Sequence, residues 1–128
     1  MATLELQGLT KRFGEFTAVD SMNLKAAEGE MIALLGGSGC GKTTTLRMIA
    51  GFTEPTAGQI LVDGKNVSTI PPYRRNIGIF FQNYALFPHM TVFENVAFGL
   101  RARKDTKDLQ TRVREALRVV HLEDFETR

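Results

Sequence analysis

The chain has 128 residues, 43% of them hydrophobic, which is enough to bury the core of one domain. Sixteen Lys and Arg against 14 Asp and Glu leave a formal net charge of +2, a bias too weak to indicate nucleic acid as a partner. A single cysteine excludes an intrachain disulfide framework. Apolar runs fall far short of the roughly 20 residues of a spanning helix, so we expect any membrane association to go through another protein.

The start of the chain has neither the basic residues nor the apolar stretch of a secretory signal, so export is not expected. Both histidines are expected at the surface or in loops; they are His89 and His121. Several basic side chains are likewise expected on a solvated surface; they are Arg74, Arg75, Arg101, Arg103 and Lys104.

The N-terminal segment predicts two strands of a half-exposed antiparallel layer. Residues 3–9 alternate polar and apolar side chains, and residues 18–26 partly do so. Gly14 and the pair at 28–29 supply the turns.

A buried strand, a glycine-rich turn and a helix are predicted next, in that order. Residues 31–35 are continuously apolar, which is typical of a parallel strand covered on both faces. Residues 43–50 predict a helix, and Gly51 follows as its C′ residue. The buried face of this helix is predicted to contain Leu46, Ile49 and Ala50.

The middle of the chain predicts further short β structure. Residues 59–62 are a predicted strand, joined by the turn at 63–64 to a short segment at 65–67. Pro71 and Pro72 can open one helical turn that reaches Arg75. Residues 77–81 return to the pattern of a buried strand, after which Gln82 follows.

Two amphipathic helices are predicted in the C-terminal third. Thr91 and Glu94 fit a capping box at the start of the first. Its apolar face is predicted to contain Phe93, Val96, Ala97 and Leu100. The stripe of the second is predicted to contain Leu109, Val113, Ala116, Leu117 and Val120. Residues 119–124 place acids after an apolar run, but we interpret them as a helix end and a loop.

One motif in the sequence indicates a ligand-binding function. Gly36, Gly37, Ser38, Gly39, Cys40, Gly41, Lys42 and Thr43 match G-x-x-x-x-G-K-[ST], between a predicted strand and a predicted helix. Glycines allow successive N–H groups to point inward, and the positive end of the helix completes an anion nest. The motif therefore predicts a phosphate-binding loop. The alternative is an ordinary glycine-rich turn, which is disfavoured because so many glycines weaken a fold that has no ligand to accommodate.

The polar residues of the loop have distinct predicted roles. Lys42 can reach the β- and γ-phosphates of a nucleotide as a point charge, while the Thr43 hydroxyl can bind Mg²⁺. Thr44 adds a further donor at the start of the helix. Cys40 is interpreted as a small loop residue and not as a nucleophile.

The wider sequence resembles the ATPases of ATP-binding-cassette (ABC) transporters, especially those of importers for polyamines. The resemblance runs through residues 11–14, 36–51 and 81–100, and the last block is far more specific than the phosphate loop. It implies an α/β P-loop NTPase fold, with a RecA-like core and an N-terminal antiparallel β layer. Residues 1–128 would then be the N-terminal part of a nucleotide-binding domain, truncated in its helical subdomain.

The resemblance also implies two further binding residues. Phe13 matches the aromatic residue that stacks on adenine, although a core Phe beside Phe16 is an alternative. Gln82 matches the glutamine that binds Mg²⁺ and senses the transmembrane partner. Gly37 departs from the proline common at that position, which loosens the loop but leaves its donors intact.

The implied partners are permease subunits, docked through the region from Gln82 to Leu100, and a second ATPase subunit. The implied location is the cytoplasmic face of the cell membrane, with no nucleic-acid partner. The signature sequence, the Asp-Glu strand and the switch histidine of the family are not found in the chain, so we expect ATP binding without hydrolysis.

Alternative functions remain open at this point. A non-catalytic nucleotide-binding or interaction module would share the same loop. A small kinase or GTPase is disfavoured, because no Asn-Lys-x-Asp guanine motif occurs. Polyamine is the favoured solute, but iron, phosphonate and sugar importers are alternatives.

Overall fold

The computed structural model describes residues 2–128, which divide into two compact units that meet in sequence between Ile79 and Phe80. The first unit contains a four-stranded antiparallel sheet of spatial order β2-β1-β3-β4. Its strands are β1 (Leu4–Phe13), β2 (Phe16–Ala26), β3 (Ala57–Val62) and β4 (Lys65–Asn66). The predicted antiparallel layer is therefore confirmed.

Both predicted hairpin turns form, because their residues accept positive φ angles. Gly14, at φ 59°, lies in the turn between Phe13 and Phe16, which pair across β1 and β2. Asp63 and Gly64 join β3 to β4 with φ angles of 49° and 75°, as a type I′ turn requires.

The core of the first unit lies where one face of the sheet packs on α1 (Lys42–Ala50). Met48 is fully buried among Leu6, Leu9, Val19 and Ile60. The predicted helix is confirmed, but the prediction that Leu46 is buried is wrong, since half of its surface is exposed. The buried residues of α1 are Thr45, Met48 and Ala50, so the predicted burial of Ala50 is confirmed.

The end of α1 is the predicted glycine termination. Gly51 adopts φ 93°, and its N–H donates to the carbonyls of Arg47 and Met48. Phe52 also donates to the Arg47 carbonyl, which completes a Schellman-type cap. The predicted turn after the two prolines forms as a 3₁₀ helix over Pro72–Arg74.

Two predicted buried strands do not form. Residues 31–35 have no regular structure, and Met31 and Leu35 are more than 90% exposed. Residues 77–81 are irregular as well, with Phe80 almost fully exposed. A parallel strand needs hydrogen-bonding neighbours, and none of the four strands found in residues 2–128 pairs with either segment.

The second unit is a pair of packed helices, α2 (Val92–Ala102) and α3 (Leu109–Val119). The predicted capping box is confirmed, because Thr91 Oγ1 accepts from the Glu94 N–H and Glu94 accepts from the Thr91 N–H. The core contains Ala97, Val113 and Leu117, with Val92, Phe93, Leu100 and Leu109 packed around it. Some side chains predicted on the apolar stripes are exposed; they are Val96, Ala116 and Val120.

The predicted helix end near residue 119 is confirmed, and a 3₁₀ turn over Glu123–Phe125 follows it. Arg114 of α3 holds this region through Glu126, with N–O distances of 3.1 and 3.2 Å. None of the helices in the described residues combines the length and the apolar character that crossing a bilayer requires.

Candidate functional site

The predicted phosphate loop lies in the first unit, between the irregular segment at 31–35 and α1. A turn over residues 38–40 leads into Gly41, the N-cap of α1. Gly39 and Gly41 adopt φ angles of 78° and 88°. Only glycine occupies this left-handed region without strain, so the glycine spacing of the motif matches the backbone that the loop adopts.

Gly41 is also the point where the loop touches the sheet. A Cβ atom at Gly41 would overlap the carbonyl oxygen of Ala18 and approach Val19 Cγ2 to 3.1 Å. A Cβ atom at Gly36 would lie 2.6 Å from Cys40 Sγ, within the loop itself. The glycines therefore permit two close approaches, one within the loop and one against β2.

Lys42 folds back over the loop. Its Nζ donates to the carbonyls of Gly36 and Gly37 at 2.5 and 2.8 Å, and lies 3.2 Å from Cys40 Sγ. The hydrogen bond from Lys42 to the Cys40 sulfur lowers the pKa of this exposed thiol, and the lysine charge makes a smaller contribution. The ammonium of Lys42 thus lies on the carbonyls of the loop.

The first turn of α1 directs backbone donors toward the loop. Gly41 has no side chain with which to cap them, while its carbonyl accepts from both the N–H and the hydroxyl of Thr45. Thr43 is exposed beside this turn and Thr44 is half-buried. Uncapped N–H groups at the positive end of a helix form a site suited to an anion.

A cavity of about 280 Å³ adjoins the loop. Three parts of the chain line it: residues 18–20 and Met22 of β2, residues 33–35, and residues 40–42 with Thr45 at the start of α1. A cavity with both polar and apolar lining, next to an anion site, suits a ligand that has both a charged and an apolar part.

Phe13 lies at the end of β1 and is 52% exposed. Its neighbour Phe16 is 61% exposed, so the alternative of a core aromatic pair is wrong. Lys11 Nζ lies 5.1 Å from the centre of the Phe13 ring, within the range of a cation–π contact. The ring therefore offers a face to a ligand in solution.

Gln82 belongs to the second unit, where it lies exposed in a turn that spans residues 82–85. The structure thus assigns the two predicted Mg²⁺ ligands to different units: Thr43 lies in the first and Gln82 in the second.

Arg75 is a residue that sequence reasoning placed wrongly. It was expected in solvent but is only 6% exposed, and its guanidinium donates to four main-chain carbonyls. Burial lowers the pKa of the Arg75 guanidinium. The sequence offers no signal for this role, because the acceptors are main-chain atoms that every residue carries.

Asn95 is a second residue that the sequence did not single out. Its amide oxygen accepts from the Phe87 N–H at 2.8 Å, and its nitrogen donates to the carbonyls of Phe87, Met90 and Thr91. The Phe87 ring in turn lies 4.5 Å from that of Phe98, centre to centre. Asn95 therefore fastens the preceding loop to α2 and fixes an aromatic pair at the surface.

Comparison with known proteins identifies similar chains. The ABC transporter family model matches residues 19–128. The spermidine/putrescine import ATP-binding protein PotA of Rubrobacter xylanophilus is 57% identical, and the putrescine transport ATP-binding protein PotG of Escherichia coli is 52% identical. Each alignment covers 98% of this chain and 33% of the relative, so the chain spans about a third of the length of these relatives.

Among solved structures, the MJ1267 ATP-binding cassette of an ABC transporter matches with a TM-score of 0.82 at 25% sequence identity. That alignment covers all of this chain and 57% of the other.

Proposed function

Because this chain belongs to the ABC transporter family, we propose that it is the N-terminal part of the ATP-binding subunit of an importer and that residues 36–44 bind the phosphates of ATP. The observation that carries the proposal is the junction of loop and helix. Positive-φ glycines, a lysine over the loop and an uncapped helix start occur together there. This set of donors suits a polyphosphate.

The loop residues have separate roles in this proposal. Backbone N–H groups of the segment from Gly36 to Thr44 surround phosphate oxygens, and Lys42 exchanges its loop carbonyls for the β- and γ-phosphates. That exchange needs no backbone rearrangement, because the lysine already lies over the loop. Phe13 stacks on the adenine, for which its exposed ring is suited.

Mg²⁺ is the proposed metal cofactor, held by the hydroxyl of Thr43 and the amide oxygen of Gln82. Both are oxygen ligands, which Mg²⁺ prefers, and both side chains are exposed. When bound, Mg²⁺ would neutralise part of the charge on the phosphates.

The proposed partners are permease subunits in the membrane and a second ATPase subunit. The permease contact is assigned to the region from Gln82 to Leu100, where Tyr84, Leu86 and Phe98 are exposed. Such an apolar excess favours an interface. Polyamine is the proposed solute, since relatives named for spermidine and putrescine transport match at 52–57% identity. The proposed location is the inner face of the cell membrane.

Lys42→Met provides the test of nucleotide binding. Charge-assisted hydrogen bonds contribute about 1.5–3 kcal/mol each, so the loss of Lys42 is expected to weaken binding of ATP with Mg²⁺ about ten- to a hundredfold. Isothermal titration calorimetry measures the affinity, and circular dichroism confirms that the fold is kept. Neither the unaltered 128-residue chain nor the Lys42→Met variant is expected to hydrolyse ATP, so their turnover rates should be equal.

Lys65→Met is the matched control, because Lys65 is an exposed lysine on β4, outside the loop. Its affinity is expected to equal that of the unaltered chain. Equal affinities of the unaltered chain and the folded Lys42→Met variant would contradict the assignment of the loop.

A further inference from the structure

We propose that Arg75 is a positioning residue for the phosphate loop, because its guanidinium fixes the C-terminal end of the helix whose N-terminal end carries Lys42 and Thr43. This inference rests on the proposed function, since it concerns how the same loop is held for nucleotide. The residue acts through α1 and is not itself in the loop.

All three guanidinium nitrogens of Arg75 are used. Nη1 donates to the carbonyls of Met48 and Ile49 at 2.7 and 3.0 Å, the last turn of α1. Nε donates to the Ile70 carbonyl at 2.7 Å, and Nη2 donates to that of Ser68 at 3.1 Å. A rigid, planar group therefore joins the end of α1 to the segment at 68–70.

The energetics favour this arrangement over an accidental burial. A buried charge is costly unless it is compensated, and the acceptors around Arg75 are carbonyl oxygens. Two of them lie at the negative end of α1, where a cation interacts favourably with the helix dipole. Both belong to the last turn of α1, where the helical ladder ends, although the Met48 carbonyl also accepts from the Gly51 N–H.

The segment that receives Arg75 is itself tied to the sheet. Ser68 Oγ accepts from the N–H of Ile60 at 2.9 Å, and the Val67 N–H donates to the Ile60 carbonyl at 2.8 Å. Val67 is buried in the same core as Ile60. Arg75 therefore connects the C-terminal end of α1 to β3.

The opposite end of α1 touches a different strand. Gly41 packs directly on the Ala18 carbonyl of β2, and Thr45 Oγ1 lies 3.8 Å from the sulfur of Met22. A helix of nine residues is about 14 Å long and behaves as a rigid rod. One end of α1 is held at β2 and the other at Arg75, so the direction of the helix axis is fixed. The backbone N–H groups of its first turn are therefore fixed in position as well.

The first test compares Arg75→Met and Arg75→Lys with the unaltered chain, by titration with ATP and Mg²⁺. Arg75→Met is expected to weaken affinity about tenfold, since small displacements of positioning groups have large effects. Arg75→Lys is expected to weaken affinity by less than Arg75→Met does. Some loss is still expected, because one ammonium cannot reach all four carbonyls as the guanidinium fork does.

Leu9→Val is the matched control for stability. Leu9 is fully buried in the core of the same unit, where it packs in one cluster with Met48, so the change lowers stability but removes none of the hydrogen bonds of Arg75. Its affinity for ATP with Mg²⁺ is expected to stay within twofold of the unaltered chain, measured below the unfolding temperature of every variant. An equal loss in Leu9→Val and Arg75→Met would assign Arg75 to stability alone and overturn the proposal.

Gly51→Ala displaces the guanidinium without removing it, and Gly64→Ala is its matched control. A Cβ at Gly51 would lie 2.7 Å from Arg75 Nε and 3.0 Å from Cζ, whereas one at Gly64 meets nothing within 4 Å. Both glycines have positive φ, so each alanine brings similar backbone strain. Gly51→Ala is expected to weaken nucleotide affinity in the same direction as Arg75→Met, while Gly64→Ala leaves it unchanged.

Alkylation of the single cysteine by iodoacetamide, in the absence of nucleotide, reports on loop geometry independently of binding. If α1 shifts in Arg75→Met, the contact between Lys42 and Cys40 lengthens and the pH profile of alkylation moves to higher pH. Leu9→Val is expected to keep the original profile. An unchanged profile and unchanged affinity in both Arg75 variants would overturn the positioning role.

The two proposals fail in different ways. If the unaltered chain does not bind ATP with Mg²⁺, the proposed function is overturned, while the Cys40 profile still decides whether Arg75 positions the loop. If the unaltered chain binds and the Arg75 variants bind equally well, only the positioning role is overturned.

Discussion

Cys40 and Lys42 show how two neighbouring side chains set each other's chemistry. The thiol is exposed and lies 3.2 Å from Lys42 Nζ, which lowers its pKa. The sequence predicts only a small loop residue at this position. Its place beside a cation makes it a sensitive reporter of the loop, because the thiolate is the form that reacts.

Lys42→Met is expected to raise the pKa of the Cys40 thiol. The hydrogen bond from Lys42 stabilises the thiolate, so its loss reduces the thiolate fraction at any pH below the thiol pKa. The rate of alkylation by iodoacetamide at neutral pH should fall, and its pH profile should move to higher pH. The chain has one cysteine, so the rate reports a single site.

Lys65→Met is the control here too and should leave the profile in place, because Lys65 lies on β4. A profile that does not move in Lys42→Met would mean that the hydrogen bond has no influence on the thiol in solution.

Arg75 is buried, although its sequence context predicts an exposed side chain. Charge next to prolines predicts a solvated side chain, and Arg74 fits, since it is exposed. Arg75 is buried instead, because main-chain carbonyls from two other segments converge on it. Composition cannot reveal that convergence.

At the level of elements, the junction of β2 and α1 depends on a contact that only glycine permits. Gly39 and Gly41 both have positive φ, and both belong to the loop motif. They differ in surroundings, since the Gly39 Cβ position is open and that of Gly41 overlaps the Ala18 carbonyl.

Gly41→Ala is expected to destabilise the first unit more than Gly39→Ala does. Each alanine brings backbone strain of about 1–2 kcal/mol, because both positions are left-handed. Gly41→Ala must also separate α1 from β2, which should add at least about 1 kcal/mol through lost packing. Urea denaturation followed by far-ultraviolet circular dichroism measures the difference. Equal losses in the two variants would mean that the close approach to Ala18 does not contribute to stability.

The predicted helices and hairpins formed, whereas two predicted strands did not, and the reason differs by element. A helix or a hairpin closes its hydrogen bonds within its own segment, so capping and turn residues such as Thr91 and Gly64 are sufficient signals. A parallel strand depends on neighbours. Residues 31–35 and 77–81 have the apolar pattern but no pairing partner among the described strands.

At the level of the whole molecule, the aromatic pair on the second unit is the proposed contact with the permease. Phe98 is 43% exposed, and its ring lies against that of Phe87, whose backbone is held by Asn95. A surface that is ordered before binding loses little conformational freedom when a partner docks.

Phe98→Ser is expected to reduce copurification of the chain with coexpressed permease subunits of a polyamine importer by severalfold. The loss follows from removing an exposed aromatic anchor, the type of residue that dominates interface energetics. Phe125→Ser is the matched control, since Phe125 is another partly exposed phenylalanine of the second unit, next to Arg128. Equal recovery of permease with both variants would remove Phe98 from the docking surface.

The sequence by itself determined the features that are local or written in motifs. These are the glycine-rich motif from Gly36 to Thr44, the family resemblance, the hairpin turns and the helix caps. Only the tertiary structure decided the exposure of residues 31–35, the burial of Arg75 and the approach of Gly41 to Ala18. The physical reason is that burial and main-chain hydrogen bonding depend on residues far apart in the chain: Arg75 reaches Met48 across 27 positions.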